Sequence, residues 1–134
     1  LAATQVGSND RILVVDVNVE EKGRELLQLV NPRITATEGL ITWEEGCLSV
    51  IDYKAEVRRA AKIELKAWTV DQKEITIQAE ELLAVCLQHE LDHLNGILMI
   101  DNIEKIENLY PLEASEENAK LYGSLYTKYR KLIK

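Results

Sequence analysis

A chain of 134 residues, 46% hydrophobic and 29% charged, is long enough to form one domain around a core of its own. Its two cysteines exclude a disulfide framework, and a formal net charge of −7 argues against nucleic acid as the main ligand. No apolar run approaches the ~20 residues that cross a bilayer and no basic-then-apolar leader opens the chain, so cytoplasm is the expected compartment.

The chain opens on Leu1 inside an apolar stretch, "LAATQVG", and is read as a processed or truncated product. "RILVVDV" (11–17) is a β-branched run bounded by polar residues and predicts a buried strand. "ELLQLV" (25–30) predicts a second strand, ended by the turn signal Asn31-Pro32, and "RITATEG" (33–39) a third. In "KIELKAWTV" (62–70), Ile63, Leu65 and Ala67 alternate with Lys62, Glu64 and Lys66, the period of a half-buried strand. "ITIQ" (75–78) follows the polar turn "DQKE" and predicts its hairpin partner.

The period then changes. From Glu80 to Asn95 apolar residues fall at helical spacing, and Gly96 stands where a helix would stop. "ILMI" (97–100) reads as a short strand or extended segment. From Pro111 to the end a second helix is predicted, acidic in its first turns and basic in its last. Strands first and helices later give an α+β expectation: small antiparallel sheets packed around a central metal-binding helix, with a C-terminal helix.

The central helix contains "QHELDH" (88–93), an H-E-x-x-H pattern. His89 and His93 lie one turn apart on one face with Glu90 beside them. Two imidazoles so placed can hold one divalent ion, and the carboxylate can reach a water on it. They are the only two histidines of the chain. Leu82 and Cys86 continue the stripe, so this face is expected to point inward, where His and Glu are costly unless paired or bound to metal. A third ligand must come from elsewhere. Cys47 in "EEGCLSV" (44–50) is the outstanding candidate, with Gly46 before it leaving room for close approach. Cys86 competes, and is read rather as a small core residue or pocket wall.

Three segments together resemble the peptide deformylase family: "LAATQ" (1–5), "EGCLS" (45–49) and "HELDH" (89–93), in that order. The family pattern reads G-x-G-Φ-A-A-x-Q, E-G-C-L-S and H-E-x-D-H, and the second and third motifs are complete here. The resemblance implies one catalytic domain over 1–134, starting after the family's leading helix and glycines. It implies that Cys47, His89 and His93 hold the metal and that Glu90 is the general acid/base. The Gln5 side chain and the Leu48 backbone N–H would face the developing oxyanion. It implies Fe(II), with Zn, Ni or Co able to substitute; ligand chemistry alone would suggest zinc. The implied activity is removal of the N-formyl group from the first methionine of newly made polypeptides, with release of formate. Implied partners are those formylmethionyl peptides; the basic C-terminal helix is read as a solvated face, with a ribosome contact as the alternative that the resemblance allows, and composition points to neither membrane nor DNA. Two departures touch the rim: Thr4 stands where Pro is frequent, and Ile51-Asp52 where Pro-Gly is frequent.

Leu82, Val85 and Cys86 are candidates for the wall of a methionine pocket or plain core. Glu45 is either a contact beside the site or a solvated acid, and Asp92 is expected to orient the helix or a neighbouring arginine such as Arg58 or Arg59. Alternatives to the deformylase reading are an H-E-x-x-H zinc peptidase and a non-catalytic metal-binding paralogue.

Overall fold

The structure is a computed structural model that describes residues 1–18, 20, 21, 23 and 25–111. Its strands are β1 (Ile12–Val15), β2 (Leu27–Cys47), β3 (Val50–Trp68), β4 (Glu74–Glu80) and β5 (Leu109–Pro111). Among the described residues one α-helix, α1 (Glu81–Leu94), follows β4 directly, and three 3-10 turns cover Ala3–Val6, Met99–Asn102 and Ile106–Asn108. Strand order is β1-β2-β3-β4, with β5 on β3. The class is α+β, built on one five-stranded sheet rather than several small ones. The chain divides into two compact units, Leu1–Ile41 with Arg59–Ile97, and Thr42–Arg58 with Leu98 onward.

In the first unit β1 pairs antiparallel with the start of β2, from Ile12 opposite Val30 to Val15 opposite Leu27. The alternation read in 62–70 is realised: Ile63, Leu65 and Ala67 are buried and Lys62, Glu64 and Lys66 are not. β4 pairs with this stretch from Lys62 opposite Glu80 to Trp68 opposite Glu74, the expected hairpin. Ala84, Leu87 and Leu91 of α1 join Leu13, Val15, Leu29 and Leu65 in one apolar cluster. Leu13, Leu65 and Leu87 are wholly buried, each worth ~1.5–3 kcal/mol relative to an exposed side chain.

The second unit repeats the alternation on β3. Tyr53, Ala55 and Val57 are buried with Val50, Met99, Ile100 and Leu109. β5 caps this face, with Ala55 opposite Leu109 and Tyr53 opposite Pro111. Its exposed side carries ion pairs of Lys54 with Glu44 (2.8 Å) and Arg58 with Glu104 (2.9 Å).

Three expectations change. The chain does not turn at Asn31-Pro32, and β2 runs through it, fusing the two predicted strands. Asn31 takes φ +50° and its N–H reaches the Arg11 carbonyl at 2.8 Å, so the irregularity is absorbed where β1 ends its pairing. Asn is one of the few residues that tolerate this left-handed backbone. Residues 97–100 are not a strand: the Asp101 carboxylate takes the Leu98 N–H at 2.8 Å, a local bond that favours the 3-10 turn. Pro111 ends β5 rather than opening a helix, and the remainder of the predicted C-terminal helix lies outside the described residues.

Candidate functional site

α1 ends immediately after its histidines. Gly96 has φ +74°, its N–H bonds the His93 carbonyl at 3.1 Å, and the Ile97 N–H bonds the Asp92 carbonyl at 2.8 Å. This paired closure is the Schellman arrangement that Gly96 predicted. The Thr4 hydroxyl donates to the same His93 carbonyl at 2.9 Å. Proline at that position could not make this bond, so the departure at Thr4 anchors the helix end.

The helix brings its two imidazoles together. His89 and His93 are 8% and 5% exposed, their Nε2 atoms lie 3.2 Å apart, and their rings meet edge-on at 75°. Glu90 is beside them with a side chain 16% exposed. Its buried Oε2 has no partner of hydrogen-bond geometry; the nearest charge is the Leu1 amino nitrogen at 2.9 Å. Gln5 sits in the first 3-10 turn, and its Oε1 takes the Ala2 N–H at 2.8 Å. That bond orients the amide and makes Nε2 its donor end.

The inward face matches expectation only in part. Val85 is buried at 2% exposure and Cys86 packs half-buried against the apolar cluster of the first unit. Leu82 is 38% exposed, because in the first turn of α1 the stripe leaves the core. The choice open at Asp92 is settled for Arg59, whose Nη1 lies 2.7 Å from Asp92 Oδ2, while Arg58 pairs with Glu104.

In the second unit Cys47 is the last residue of β2, half-buried, and its Sγ accepts the Ser49 N–H at 3.4 Å. Leu48 and Ser49 form the two-residue turn into β3, with Leu48 82% exposed. Glu45 is buried rather than solvated, at 5% exposure. Gly46 serves no close approach among the described residues, since a Cβ there meets nothing within 4 Å.

One residue that the sequence reading passed over is Gln88. Its amide takes the Ala60 N–H at 3.0 Å and donates to the Ala60 carbonyl at 2.9 Å and the Ala84 carbonyl at 3.0 Å. A polar residue immediately before His89, on a helix otherwise turned to the core, was the available signal.

Among the described residues no helix is long and apolar enough to cross a membrane. Residues 1–109 match the family model for polypeptide deformylase. Over 106 residues the chain is 50% identical to a peptide deformylase of Syntrophobacter fumaroxidans, covering 79% of this chain and 62% of that protein. Over 125 residues it is 43% identical to one of Rhizobium meliloti, covering 92% and 72%. The crystal structure of peptide deformylase from Thermus thermophilus superposes with a TM-score of 0.77 at 31% identity, over 98% of this chain and 73% of that one. The chain thus spans under two thirds of the Syntrophobacter relative, yet the match runs through both complete motifs. On this agreement of sequence and fold, the chain belongs to the peptide deformylase family.

Proposed function

We propose that the chain is a metal-dependent hydrolase that removes the N-formyl group from the N-terminal methionine of newly made polypeptides. The observation that carries the reading is the buried histidine pair, with Nε2 atoms 3.2 Å apart and the Glu90 carboxylate beside them on the same helix. Two ring nitrogens that close can make one hydrogen bond between them, and the same two atoms could hold one divalent ion. With the Cys47 thiolate as the third donor the set is N₂S, which suits a borderline or soft divalent ion such as Fe(II), Zn, Ni or Co. Family membership and the complete "EGCLS" and "HELDH" motifs support this assignment of Cys47, His89 and His93.

When bound, the ion would supply Lewis-acid polarisation of water and of the formyl oxygen. Glu90, beside the two histidines on α1, takes the proton of the attacking water. As the formyl carbon becomes tetrahedral, the Gln5 Nε2 and the Leu48 N–H donate to the negative oxygen, each such donor being worth ~3 kcal/mol. Glu90 then hands its proton to the leaving amine, and formate and the free methionyl amine separate.

The test is to load the whole chain anaerobically with Fe(II), or with Ni or Co, and offer a formyl-Met peptide and its unformylated counterpart. Formate release with the peptide bond intact is expected. Peptide-bond cleavage would select a zinc peptidase, and neither reaction in a protein holding one metal per chain would select a binding protein.

A further inference from the structure

The hydrogen bonds that hold α1 to β3 are arranged in step with the histidines. Gln88 grips Ala60 and Asp92 grips Arg59, adjacent residues of one strand. Gln88 and Asp92 are one helical turn apart, as are His89 and His93, and each histidine follows its tether by ~100° around the axis. The roll of the helix that places the tethers therefore also fixes where both ring nitrogens point.

The two tethers differ in stiffness. Arg59 reaches Asp92 through a long stem with several rotatable bonds. Gln88 bonds backbone directly, on both polar groups of one residue. β4 pairs with β3 only as far as Lys62 opposite Glu80, and Ala60 lies two residues beyond. There the chain has already turned into α1, and the Gln88 side-chain amide, one donor and one acceptor at peptide spacing, stands where the next strand residue would have paired. Its bond back to the Ala84 carbonyl fixes it to its own helix at the same time.

We propose that Gln88 is a positioning residue that sets the roll of α1 and so the convergence of His89 and His93. The magnitudes favour this over a plain stabilising role. Side chains reach ~5–6 Å from a helix axis, so a roll of ~20° moves a ring nitrogen by ~2 Å. Metal–ligand distances hold to ~0.2 Å, which allows a roll of only ~2°. Apolar packing of Leu87 and Leu91 tolerates far more than that, since a leucine can hop rotamer. The consequence for metal binding rests on the ligand reading above, whereas the consequence for the imidazole pair does not.

The test compares Gln88→Met, which keeps length and loses all three bonds, with Leu87→Val, which weakens the core and keeps the clamp. In the parent, Co(II) binding gives a Kd and a set of visible d–d bands. Gln88→Met is expected to weaken Co(II) ~10–100-fold and to change the bands. Leu87→Val should lower the thermal midpoint and leave both at parental values. The second readout needs no metal: nitrogen-15 shifts of the imidazoles, which come from only two histidines. The parent should show a distinct set of ring shifts for the paired imidazoles, and Gln88→Met should move them while Leu87→Val does not. Parental Co(II) affinity and parental ring shifts in Gln88→Met would overturn the proposal. Should the parent itself bind no Co(II), the ligand reading fails, and the ring shifts alone decide the role of Gln88. If Gln88→Met does not fold, Gln88→Glu, which retains the acceptor for the Ala60 N–H, is read by the same criteria.

Discussion

Adjacent arginines on β3 make ion pairs of similar length and very different expected worth. Arg59 meets Asp92 at 2.7 Å with side chains 5% and 23% exposed, and Arg58 meets Glu104 at 2.9 Å with both 52% exposed. Asp92→Asn removes the carboxylate charge that lies 2.7 Å from a buried guanidinium. Breaking a buried pair in this way costs ~3–5 kcal/mol, and the partial exposure of Asp92 places the expectation near ~3 kcal/mol. Glu104→Gln removes a pair held in solvent, worth ~0–1 kcal/mol. In thermal terms a loss of ~3 kcal/mol in a domain of this size lowers the midpoint by ~10 °C. Urea unfolding of the metal-free chain reads both variants, with unchanged m-values as the check that the transition is comparable. The pair's net worth is a separate matter: Arg59→Met combined with Asp92→Leu should recover most of the loss, because neither charge of this pair is then left without the other. An Asp92→Asn cost no greater than that of Glu104→Gln would refute the reasoning, since burial would then not be what separates the two pairs.

Glu90→Gln keeps size but cannot accept a proton; formate release should fall at least ~10²-fold with metal content near one per chain, and loss of the metal instead would place Glu90 among the ligands. Cys47→Ala should empty the metal site while Cys86→Ala, a trim in the apolar cluster, leaves it filled; the reverse result in metal analysis would exchange their roles. Burial first, and then the hydrogen bond from its hydroxyl to Glu44, push the Tyr110 phenol up to about 12. A phenol raised in the folded state contributes stability that is intact below its ordinary value of ~10 and is lost as pH climbs towards the folded value. Stability of the parent should therefore decline across that alkaline window in urea titrations. Tyr110→Phe should lack this decline, and an equal decline in both would assign it to other groups.

The sequence carried α1, its histidine pair and its glycine stop, though not the exposure of Leu82, because helical period and capping are local properties. The β3–β4 hairpin was equally plain, since Ile63, Leu65 and Ala67 alternate cleanly across a polar turn. β2 was not. Asn31-Pro32 is a turn signal by composition, and only the pairing of Arg11 with Asn31 shows the strand passing through it. The start of β3 was left unassigned, although Tyr53, Ala55 and Val57 alternate there with Lys54, Glu56 and Arg58. At the site, Glu90 and the histidines were legible from spacing. The roles of Gln88 and Thr4 were not, because each acts through a residue 28 or 89 positions away in the chain, a separation no local pattern reports, and at Asp92 the sequence could not choose between Arg58 and Arg59.

β2 and β3, of 21 and 19 residues, are joined by only Leu48 and Ser49, and Cys47 is the final residue before that turn. Successive side chains of a strand face opposite ways, so which face of β2 carries the thiol is a matter of odd or even count from any fixed pairing point. Such points exist on both sides: Asn31 and Gly39 on β2 and Asp52 on β3 have left-handed backbone, of the kind that marks bulges and locks register. The direction of a sulfur atom is thus stored as parity between those landmarks and the turn. Substitutions between residues 40 and 52 leave the count intact. One residue gained or lost there reverses it, and a gain or loss of two restores it.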